Sequence, residues 1–197
     1  MRICVVTGAS SGMGREFLRR LDAEETFDEI WAIARRENIL SDLQKETRAV
    51  IRPIAADLTL LSNIHAYAEL LDSVKPQVDV LVNASGYGYF GYMENGNADE
   101  QLGMIDLNCR ALAAITYYTL PYMQNGARIF QIGSLSAFQP VPCIALYGAS
   151  KSFVLSFSRA LNVELHHRGI RVMAVCPGWV KTDFFRPRDE RFHDPLL

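Results

Sequence analysis

The chain has 197 residues, of which 49% are hydrophobic and 21% charged, a composition typical of an ordinary globular protein. This length predicts a single domain spanning residues 1–197. The 20 Lys and Arg residues against 22 Asp and Glu residues leave a net charge of -2, and the basic residues form no run longer than Arg35–Arg36. The charge pattern therefore argues against nucleic acid as a partner.

No apolar stretch approaches the ~20 residues that a membrane-spanning helix requires, and the N-terminus lacks the apolar core of a signal peptide. The four cysteines, Cys4, Cys109, Cys143 and Cys176, lie far apart without CxxC spacing. This pattern predicts a cytoplasmic protein with reduced thiols, with neither a disulfide framework nor a metal site. Cys143 lies in a loop beside Pro142 and is either a packed or a reactive thiol.

Short apolar segments of strand length alternate with longer segments of helical periodicity. The strand-like segments, most of them rich in β-branched residues, are residues 2–6, 29–34, 49–55, 78–83, 128–133 and 171–176. The helical patterns are the apolar stripes Met13, Phe17, Leu21 and Leu61, Ile64, Ala68, Leu71, Val74, and the longer stretches 102–124 and 145–167. Parallel strands need such crossover helices, and strands that are apolar throughout are buried on both faces. We therefore predict an α/β domain with a doubly wound parallel sheet of six strands in the order 3-2-1-4-5-6.

Three glycines follow the first strand in the stretch VVTGASSGMGR. Gly8, Gly12 and Gly14 allow a tight bend and a close approach of the backbone to a ligand, and the next helix offers free N–H groups to an anion. No Gly-Lys-Ser/Thr follows, which excludes a P-loop. The glycines either form a turn that binds nothing or hold a pyrophosphate, and their place at the first strand-to-helix turn favours the pyrophosphate. The neighbours expected to share this contact are Ser10, Ser11 and Met13.

The second strand ends in WAIARR, which bears on the choice of dinucleotide. Folds that select NAD place an acid about 20 residues after the glycines, where it bonds the ribose 2′-hydroxyl, whereas an arginine there suits the 2′-phosphate of NADP. Arg35 occupies this place and no acid does. We therefore predict NADP(H) as the preferred cofactor, with assistance from Arg36 and Ser10, although a solvated surface position also explains Arg36.

Two further strand ends carry candidate contacts for the cofactor. Asp57 and Leu58 follow the third strand, where Asp57 is expected to cap the next helix, to lie near the adenine, or to do both. Asn83 and Ala84 begin the stretch NASG at the end of the fourth strand, whose small residues leave room for a ribose or a nicotinamide. In doubly wound sheets ligands bind beyond the carboxyl ends of the strands, which is where these residues lie.

Six stretches of the sequence resemble, in order along the chain, the motifs of the short-chain dehydrogenase/reductase family. They are TGASSGMG, NASG, Asn108 in DLNCRA, Ser134 in IGSLSA, YGASK and CPGWVKT. The resemblance covers nearly the whole chain, and its type is that of the NADP-preferring carbonyl reductases and alcohol dehydrogenases. It implies a Rossmann-like fold and hydride transfer between NADP(H) and a small-molecule ketone or secondary alcohol. It also implies cofactor contacts after the sixth strand, at Pro177, Gly178, Val180 and Thr182.

The stretch YGASK places Tyr147 and Lys151 on one face of a helix. A phenol has a pKa near 10, and an ammonium group one turn away favours the phenolate, which lowers that pKa. The small residues between the two are expected to let the cofactor lie close against the helix. The resemblance implies that Tyr147 is the general acid and base and that Lys151 also holds the nicotinamide ribose. It further implies that Ser134 hydrogen-bonds the substrate oxygen and that Asn108 positions a water linking Lys151 to solvent.

The chain departs from the family pattern in two places. Residues 83–86 read NASG where the family usually has Asn-Asn-Ala-Gly, so a polar brace of the sheet is missing unless Ser85 replaces it. The chain also ends at Leu197, before the last helix and strand of most family members, which would leave the sixth strand at the edge of the sheet. Three alternatives follow: a truncated chain, a minimal active reductase, or a non-catalytic protein that binds or senses NADP(H).

The loop from Gly86 to Met93 is rich in aromatic residues. With Trp179, Phe184 and Phe185 it is expected either to wall an apolar pocket or to pack a long loop or a subunit contact. A walled pocket would take an apolar or ring-containing ketone or alcohol. The resemblance also implies a homodimer or homotetramer formed through the two long helical stretches. Membranes are not expected partners.

Overall fold

The computed structural model describes residues 1–180. The predictions made for Thr182, Phe184 and Phe185 therefore lie outside the described residues. Within the described part of the chain, no helix combines the length and the apolar character needed to cross a bilayer.

Six strands form one sheet in the predicted order β3-β2-β1-β4-β5-β6. Every neighbouring pair is parallel, with Val5 opposite Trp31 on one side and Leu81 on the other. The strand-length apolar segments of the sequence thus coincide with the strands to within one or two residues. Their bounds are β1 Arg2–Thr7, β2 Glu29–Ala34, β3 Val50–Ala55, β4 Gln77–Asn83, β5 Arg128–Ile132 and β6 Arg171–Val175.

Helices supply the crossover connections between these strands, as the parallel arrangement requires. Short 3-10 turns at Leu43–Lys45, Met93–Asn95, Leu120–Tyr122, Leu135–Ala137 and His166–Arg168 complete the connections. The helices are α1 Gly12–Glu24, α2 Glu37–Asp42, α3 Leu61–Val74, α4 Ala98–Ile105, α5 Leu112–Thr119 and α6 Ala145–Glu164.

The pleat of the sheet divides the core between two faces. Ile3 and Val5 of β1 pack in the cluster that includes buried residues of α3, α5 and α6. Cys4 and Val6, which alternate with them, pack in the cluster that includes residues of α1. Helices therefore cover both faces of the sheet, which explains why the strands are apolar along their length.

The apolar stripe predicted for α1 is displaced by one residue at its centre. Leu18 and Leu21 are buried, whereas Met13 and Phe17 are half-buried. In α3, the predicted Ile64 and Leu71 are buried, but Tyr67 is buried in place of Ala68 and Leu61 is exposed.

The stretch 102–124 is not the uniform helix that the sequence predicted. Helical turns begin earlier, at Ala98, because the side chain of Asn97 accepts a hydrogen bond from the Glu100 amide and caps the first turn. Residues Asp106–Ala111 are a π-helical segment between α4 and α5. Such segments are rare and are often found at functional sites, and this one carries Asn108.

Candidate active site

A cavity of about 1040 Å³ lies at the carboxyl ends of the strands. It runs from the glycine turn after β1 to the first turns of α6, so one space joins most of the residues that the sequence singled out. The predicted residues that line it are Gly8, Ser10, Ser11, Gly12, Met13, Gly14, Arg35, Arg36, Asp57, Leu58, Ala84, Ser134, Tyr147, Lys151, Pro177, Gly178 and Val180.

The three glycines of the turn have different physical reasons to be glycine. Gly8 has φ +69°, and a Cβ there would lie 2.7 Å from the Ala84 carbonyl oxygen. A Cβ on Gly14 would clash with the Gly8 carbonyl, so Gly14 lets α1 pack against the turn. Gly12, with φ +53°, is exposed and is the first residue of α1. Of the three, Gly12 is therefore the one most open to a ligand.

The N-terminus of α1 fits an anion. Its N-cap residue, Ser11, makes no side-chain hydrogen bond to the helix, and no acidic residue lies in the first turn. The first amide groups of a helix have no partner inside the helix, and its N-terminal end carries a partial positive charge. Because this end lines the cavity, the turn can hold a phosphate group.

Two guanidinium groups lie beyond the end of β2. Arg35 and Arg36 are exposed on the wall of the cavity. Arg36 donates a hydrogen bond to the Ser10 hydroxyl at 3.2 Å, which ties the end of β2 to the glycine turn. Arg35, Arg36 and Ser10 thus lie on one stretch of the cavity wall and together could bind a phosphate group, and their assistance to a bound cofactor stays a prediction.

Asp57 does not cap the following helix, and that prediction was wrong. α3 has Leu60 at its N-cap position, whereas the Asp57 carboxylate accepts hydrogen bonds from the amide (2.9 Å) and hydroxyl (2.7 Å) of Thr59. This is a local turn closed by an aspartate side chain. Burial opposes ionisation of Asp57, but the bonds from Thr59 and the charge of Arg35 outweigh it, so its pKa lies below the ordinary value.

Asn83 does not line the cavity, which corrects its assignment as a cofactor contact. The side chain is buried in the core, where its Nδ2 donates to the Thr116 hydroxyl at 3.0 Å. Gln131, its register partner on β5, donates to the same hydroxyl. The alternation of β4 turns Asn83 inward, so the residue that borders the cavity is Ala84.

Of the two alternatives for the polar brace, a missing contact or a replacement by Ser85, the structure shows neither, because Thr7 supplies a brace. The Thr7 hydroxyl accepts hydrogen bonds from the amides of Ala84 and Ser85, each at 3.1 Å. This joins the ends of β1 and β4 next to the glycine turn. A threonine as the last residue of a buried strand was the only sequence signal for this role.

Tyr147 and Lys151 are both buried on α6 and lie on one face of it, as predicted. Lys151 Nζ lies 5.7 Å from the centre of the Tyr147 ring and donates to the Ile132 carbonyl at 2.8 Å. The hydroxyls of Tyr147 and Ser134 are hydrogen bonded to each other. The Lys151 ammonium group is thus held by Ile132, the last residue of β5, and the Tyr147 phenol by Ser134, two residues further along the chain.

The expected lowering of the phenol pKa is not present in this structure. Burial raises the pKa of Tyr147 above its ordinary value, and the hydrogen bond with Ser134 offsets only part of that rise. Burial also lowers the pKa of Lys151 to about 8, with the nearby thiols of Cys109 and Cys176 acting weakly in the opposite direction. Desolvation of both groups outweighs the attraction between ammonium and phenolate.

The small residues between Tyr147 and Lys151 do not themselves border the cavity, and the close approach of a cofactor to this face of α6 stays a prediction. Among residues 147–151, only Tyr147 and Lys151 border the cavity. Gly148 packs toward the Ser136 carbonyl, Ala149 is exposed, and Ser150 is buried away from the cavity.

Asn108 lies behind the cavity wall. Its Oδ1 accepts from the Tyr87 amide at 3.1 Å, and its Nδ2 donates to the Tyr87 carbonyl at 3.0 Å and to the Ser150 hydroxyl at 3.1 Å. The side chain is fully buried and therefore braces the loop after β4. The water-positioning role stays a prediction. Tyr87 and Ser150 were missed by sequence reasoning, because nothing local in the sequence marks them as partners of Asn108.

The aromatic loop both borders the cavity and packs against neighbouring segments, while its role in an apolar substrate pocket or a subunit contact stays a prediction. Tyr87 borders the cavity, while Tyr89 is buried in a cluster with Met104, Ile144 and Tyr147. The loop also reaches across to the segment after β6, since the rings of Phe90 and Trp179 are stacked 5.7 Å apart.

A smaller cavity of about 190 Å³ lies beside this loop, between Tyr89 and the residues that precede α6. Cys143 lines it in a left-handed conformation, with φ +64°, and is half-buried. Cys4, by contrast, is fully buried in the core, and burial raises the pKa of its thiol. The packing role expected of the cysteines thus holds for Cys4 more fully than for Cys143.

Substitutions at two of the glycines should separate turn geometry from ligand binding. Gly14→Ala should destabilise the fold by about 1–3 kcal/mol, because the new methyl group meets the Gly8 carbonyl. Gly12→Ala should cost only about 1 kcal/mol for the positive φ, yet weaken NADPH binding. Denaturant unfolding and NADPH titration measure the two effects. Undiminished NADPH binding by Gly12→Ala would mean that the glycines form only a turn.

The buried ammonium group should make stability depend on pH. The pKa of Lys151 is about 8 in the fold, against 10.5 ordinarily, so between these values the unfolded chain binds more protons. The free energy of unfolding should therefore rise from pH 8 to pH 10, by about 2 kcal/mol relative to Lys151→Met. Chemical denaturation of both proteins at several pH values measures this difference. Parallel curves for the two proteins would contradict it.

Comparison with known proteins places these features in a family. A family model described as short chain dehydrogenase matches residues 2–192. An uncharacterized oxidoreductase of Staphylococcus epidermidis is 29% identical over 183 residues, which cover 92% of this chain and 79% of the relative.

Solved structures agree with that match. A short-chain dehydrogenase from Sphingobium yanoikuyae in complex with NADPH has a TM-score of 0.80 at 28% identity, covering 93% of this chain and 73% of that one. A 3-ketoacyl-(acyl-carrier-protein) reductase from Brucella melitensis, complexed with NADH, has a TM-score of 0.81 at 26% identity, covering 93% and 78%. The chain therefore belongs to the short-chain dehydrogenase/reductase family of oxidoreductases.

Proposed function

We propose that this chain transfers a hydride between NADP(H) and a ketone or secondary alcohol, with Tyr147 as the general acid and base. The observation that carries the proposal is the hydrogen bond between the Tyr147 and Ser134 hydroxyls on the wall of the same cavity that begins at the glycine turn. A proton donor and a second hydroxyl at the nicotinamide end of a dinucleotide cavity are what carbonyl reduction needs.

The residues that would hold the cofactor follow the length of the cavity. The amide groups at the start of α1 would bind the pyrophosphate, and Lys151 would bind the nicotinamide ribose. Arg35, Arg36 and Ser10 support a preference for the 2′-phosphate of NADP. When bound, the nicotinamide supplies or accepts the hydride. Because the two solved relatives hold NADPH and NADH respectively, the preference is a property to be measured on this chain.

Each side chain of the tetrad has a distinct part in the proposal. The raised pKa keeps the Tyr147 phenol protonated at neutral pH, which is the form that donates a proton to a ketone oxygen. Ser134 would donate a hydrogen bond to that same oxygen and orient it. Lys151 would return a proton to the phenol, and Asn108 would hold the loop after β4 in place and position the water that resupplies the lysine.

The surroundings of the site support an apolar substrate. Leu135 and Phe138, which follow Ser134, are exposed, as is Trp179 after β6. Gly178 brings the segment after β6 close to Leu135, since a Cβ on Gly178 would lie only 3.3 Å from the leucine side chain. We infer a ketone or alcohol with an apolar or ring-containing body, whose burial against these side chains would supply binding free energy.

We also propose that the protein is a homodimer or homotetramer. Tyr117 of α5 and Phe153 of α6 expose large apolar surface, and Phe153 stacks on Phe157 with the rings 5.7 Å apart. Exposed apolar residues on the long helices support association through these faces. The four free thiols support a reducing, cytoplasmic setting.

Tyr147→Phe should separate chemistry from binding. It keeps the buried ring but removes the proton donor, so turnover should fall by ~10²–10⁴-fold while NADPH affinity stays near that of the parent. The measurement is NADPH oxidation against a panel of apolar ketones, beside NADPH titration. Tyr67→Phe is a matched control, since it removes another buried tyrosine hydroxyl, bonded to Thr119, far from the cavity. Near-normal turnover by Tyr147→Phe would overturn the assignment, and binding without turnover by the parent would favour a sensor.

Arg35→Asp should change cofactor preference. Loss of a charge-assisted contact with the 2′-phosphate should lower the ratio of NADPH to NADH affinity by about 10-fold or more. Titration of both cofactors against parent and variant measures the ratio. Arg20→Asp makes the same change of charge on the exposed side of α1 and should leave the ratio unaltered. A parent protein that prefers NADH would show that Arg35 has been misassigned.

A further inference from the structure

We propose that Ser150 is a positioning residue whose hydroxyl couples Asn108 to the main chain of Tyr147 and so keeps the phenol in register with Ser134. The inference deepens the proposed function and rests on it, because it concerns how the general acid is held. Ser150 does not line the cavity, so it would act only through its neighbours.

The Ser150 hydroxyl joins two elements through one oxygen atom. It donates to the Tyr147 carbonyl at 2.7 Å and accepts from Asn108 Nδ2 at 3.1 Å. Both partners and the hydroxyl itself are buried, with 1% of Ser150 exposed. Since a buried hydrogen bond of this kind does not compete with water, its geometry is held firmly.

Asn108 extends this contact to the loop that borders the cavity. Its two remaining bonds reach the amide and the carbonyl of Tyr87, so within residues 1–180 its side-chain hydrogen bonds go to Tyr87 and Ser150. Gly86, the residue before Tyr87, lies between the side chains of Asn108 and Lys151, and a Cβ there would be 2.8 Å from Asn108 Oδ1. Loop, π-helical segment and α6 therefore form one braced unit.

The π-helical segment contacts Ser150 at a second point. Cys109, the residue after Asn108, directs its thiol at the Ser150 carbonyl at 3.7 Å. Adjacent residues of an α-helix point about 100° apart, and the wider π-helical turn brings both toward α6. This gives a structural reason for the irregularity in the helix, which sequence periodicity did not predict.

An ordinary buried serine in the same helix provides the comparison. The Ser158 hydroxyl donates to the Val154 carbonyl at 2.6 Å, and 1% of Ser158 is exposed. Serines in helices commonly bond a carbonyl of the preceding turn, so the Ser150 bond to Tyr147 is not unusual alone. What distinguishes Ser150 is its second partner from another element. Ser158→Ala is therefore a matched control for Ser150→Ala.

Loss of the Ser150 hydroxyl should loosen Tyr147 relative to Ser134. Because the bond with Ser134 lowers the phenol pKa against the effect of burial, weakening it should raise that pKa further. The titratable groups packed around Tyr147 are Lys151 and the phenols of Tyr89 and Tyr87, and the thiols of Cys109 and Cys176 lie near Lys151. None of these is altered by the substitution.

The experiment titrates the Tyr147 phenol by tyrosinate absorbance in the protein without cofactor, with Tyr147→Phe as the spectroscopic blank in each background. Ser150→Ala should raise the phenol pKa by roughly half a unit or more, and kcat should fall about 10-fold or more with KM for NADPH unchanged. Ser158→Ala should change neither value. Ser150→Cys, which keeps a weaker donor and acceptor, should fall between parent and Ser150→Ala.

A phenol that titrates identically in the parent and in Ser150→Ala would overturn the inference, as would an equal shift in Ser158→Ala. If Ser150→Ala does not fold, Ser150→Cys decides, and an unshifted phenol in that variant counts against the role. The titration needs no turnover. Failure of the proposed function, which Tyr147→Phe tests by activity, is thus distinguishable from failure of the positioning role proposed for Ser150.

Discussion

All six strands run in the same direction, and the rest of the molecule depends on that constraint. A parallel pair needs a crossover connection, so the segment that follows each strand emerges at the same edge of the sheet. Gly8, Arg35, Asp57 and Ser134 each follow a different strand yet border one cavity. The common direction of the strands therefore places residues from most of the chain at one edge of the sheet, whatever their side chains contact.

Within that cavity, desolvation rather than charge pairing sets the protonation states. Tyr147 and Lys151 are both buried, and burial favours the neutral form of each group, raising the pKa of the phenol and lowering that of the ammonium. Hydrogen bonds to Ser134 and to the Ile132 carbonyl offset part of this cost. Burial thus widens the difference in proton affinity between the two groups, since the phenol pKa rises while the ammonium pKa falls to about 8, and this difference would favour return of a proton from Lys151 to a Tyr147 phenolate.

Positioning of these groups depends on an irregular helix. The π-helical segment Asp106–Ala111 directs Asn108 at both Tyr87 and Ser150, and so ties the loop after β4 to α6. Periodicity predicted a continuous helix here, because an apolar pattern reports which side of a helix is buried and does not register one wider turn. The family resemblance linked Asn108 to a water, whereas the side-chain hydrogen bonds seen in the structure are to Tyr87 and Ser150.

The sequence by itself determined the six strands, the glycine turn and the Tyr147–Lys151 pair, because each depends on residues that are close along the chain, and the strand order followed from the fold class. The family resemblance added the expected reaction, hydride transfer, and the roles expected of the site residues. Only the tertiary structure decided that Asn83 turns into the core toward Thr116, 33 residues away, and that Asn108 meets Ser150, 42 residues away. Such partners are chosen by how helices and strands pack, and a buried amide must take whichever donors and acceptors that packing brings within reach.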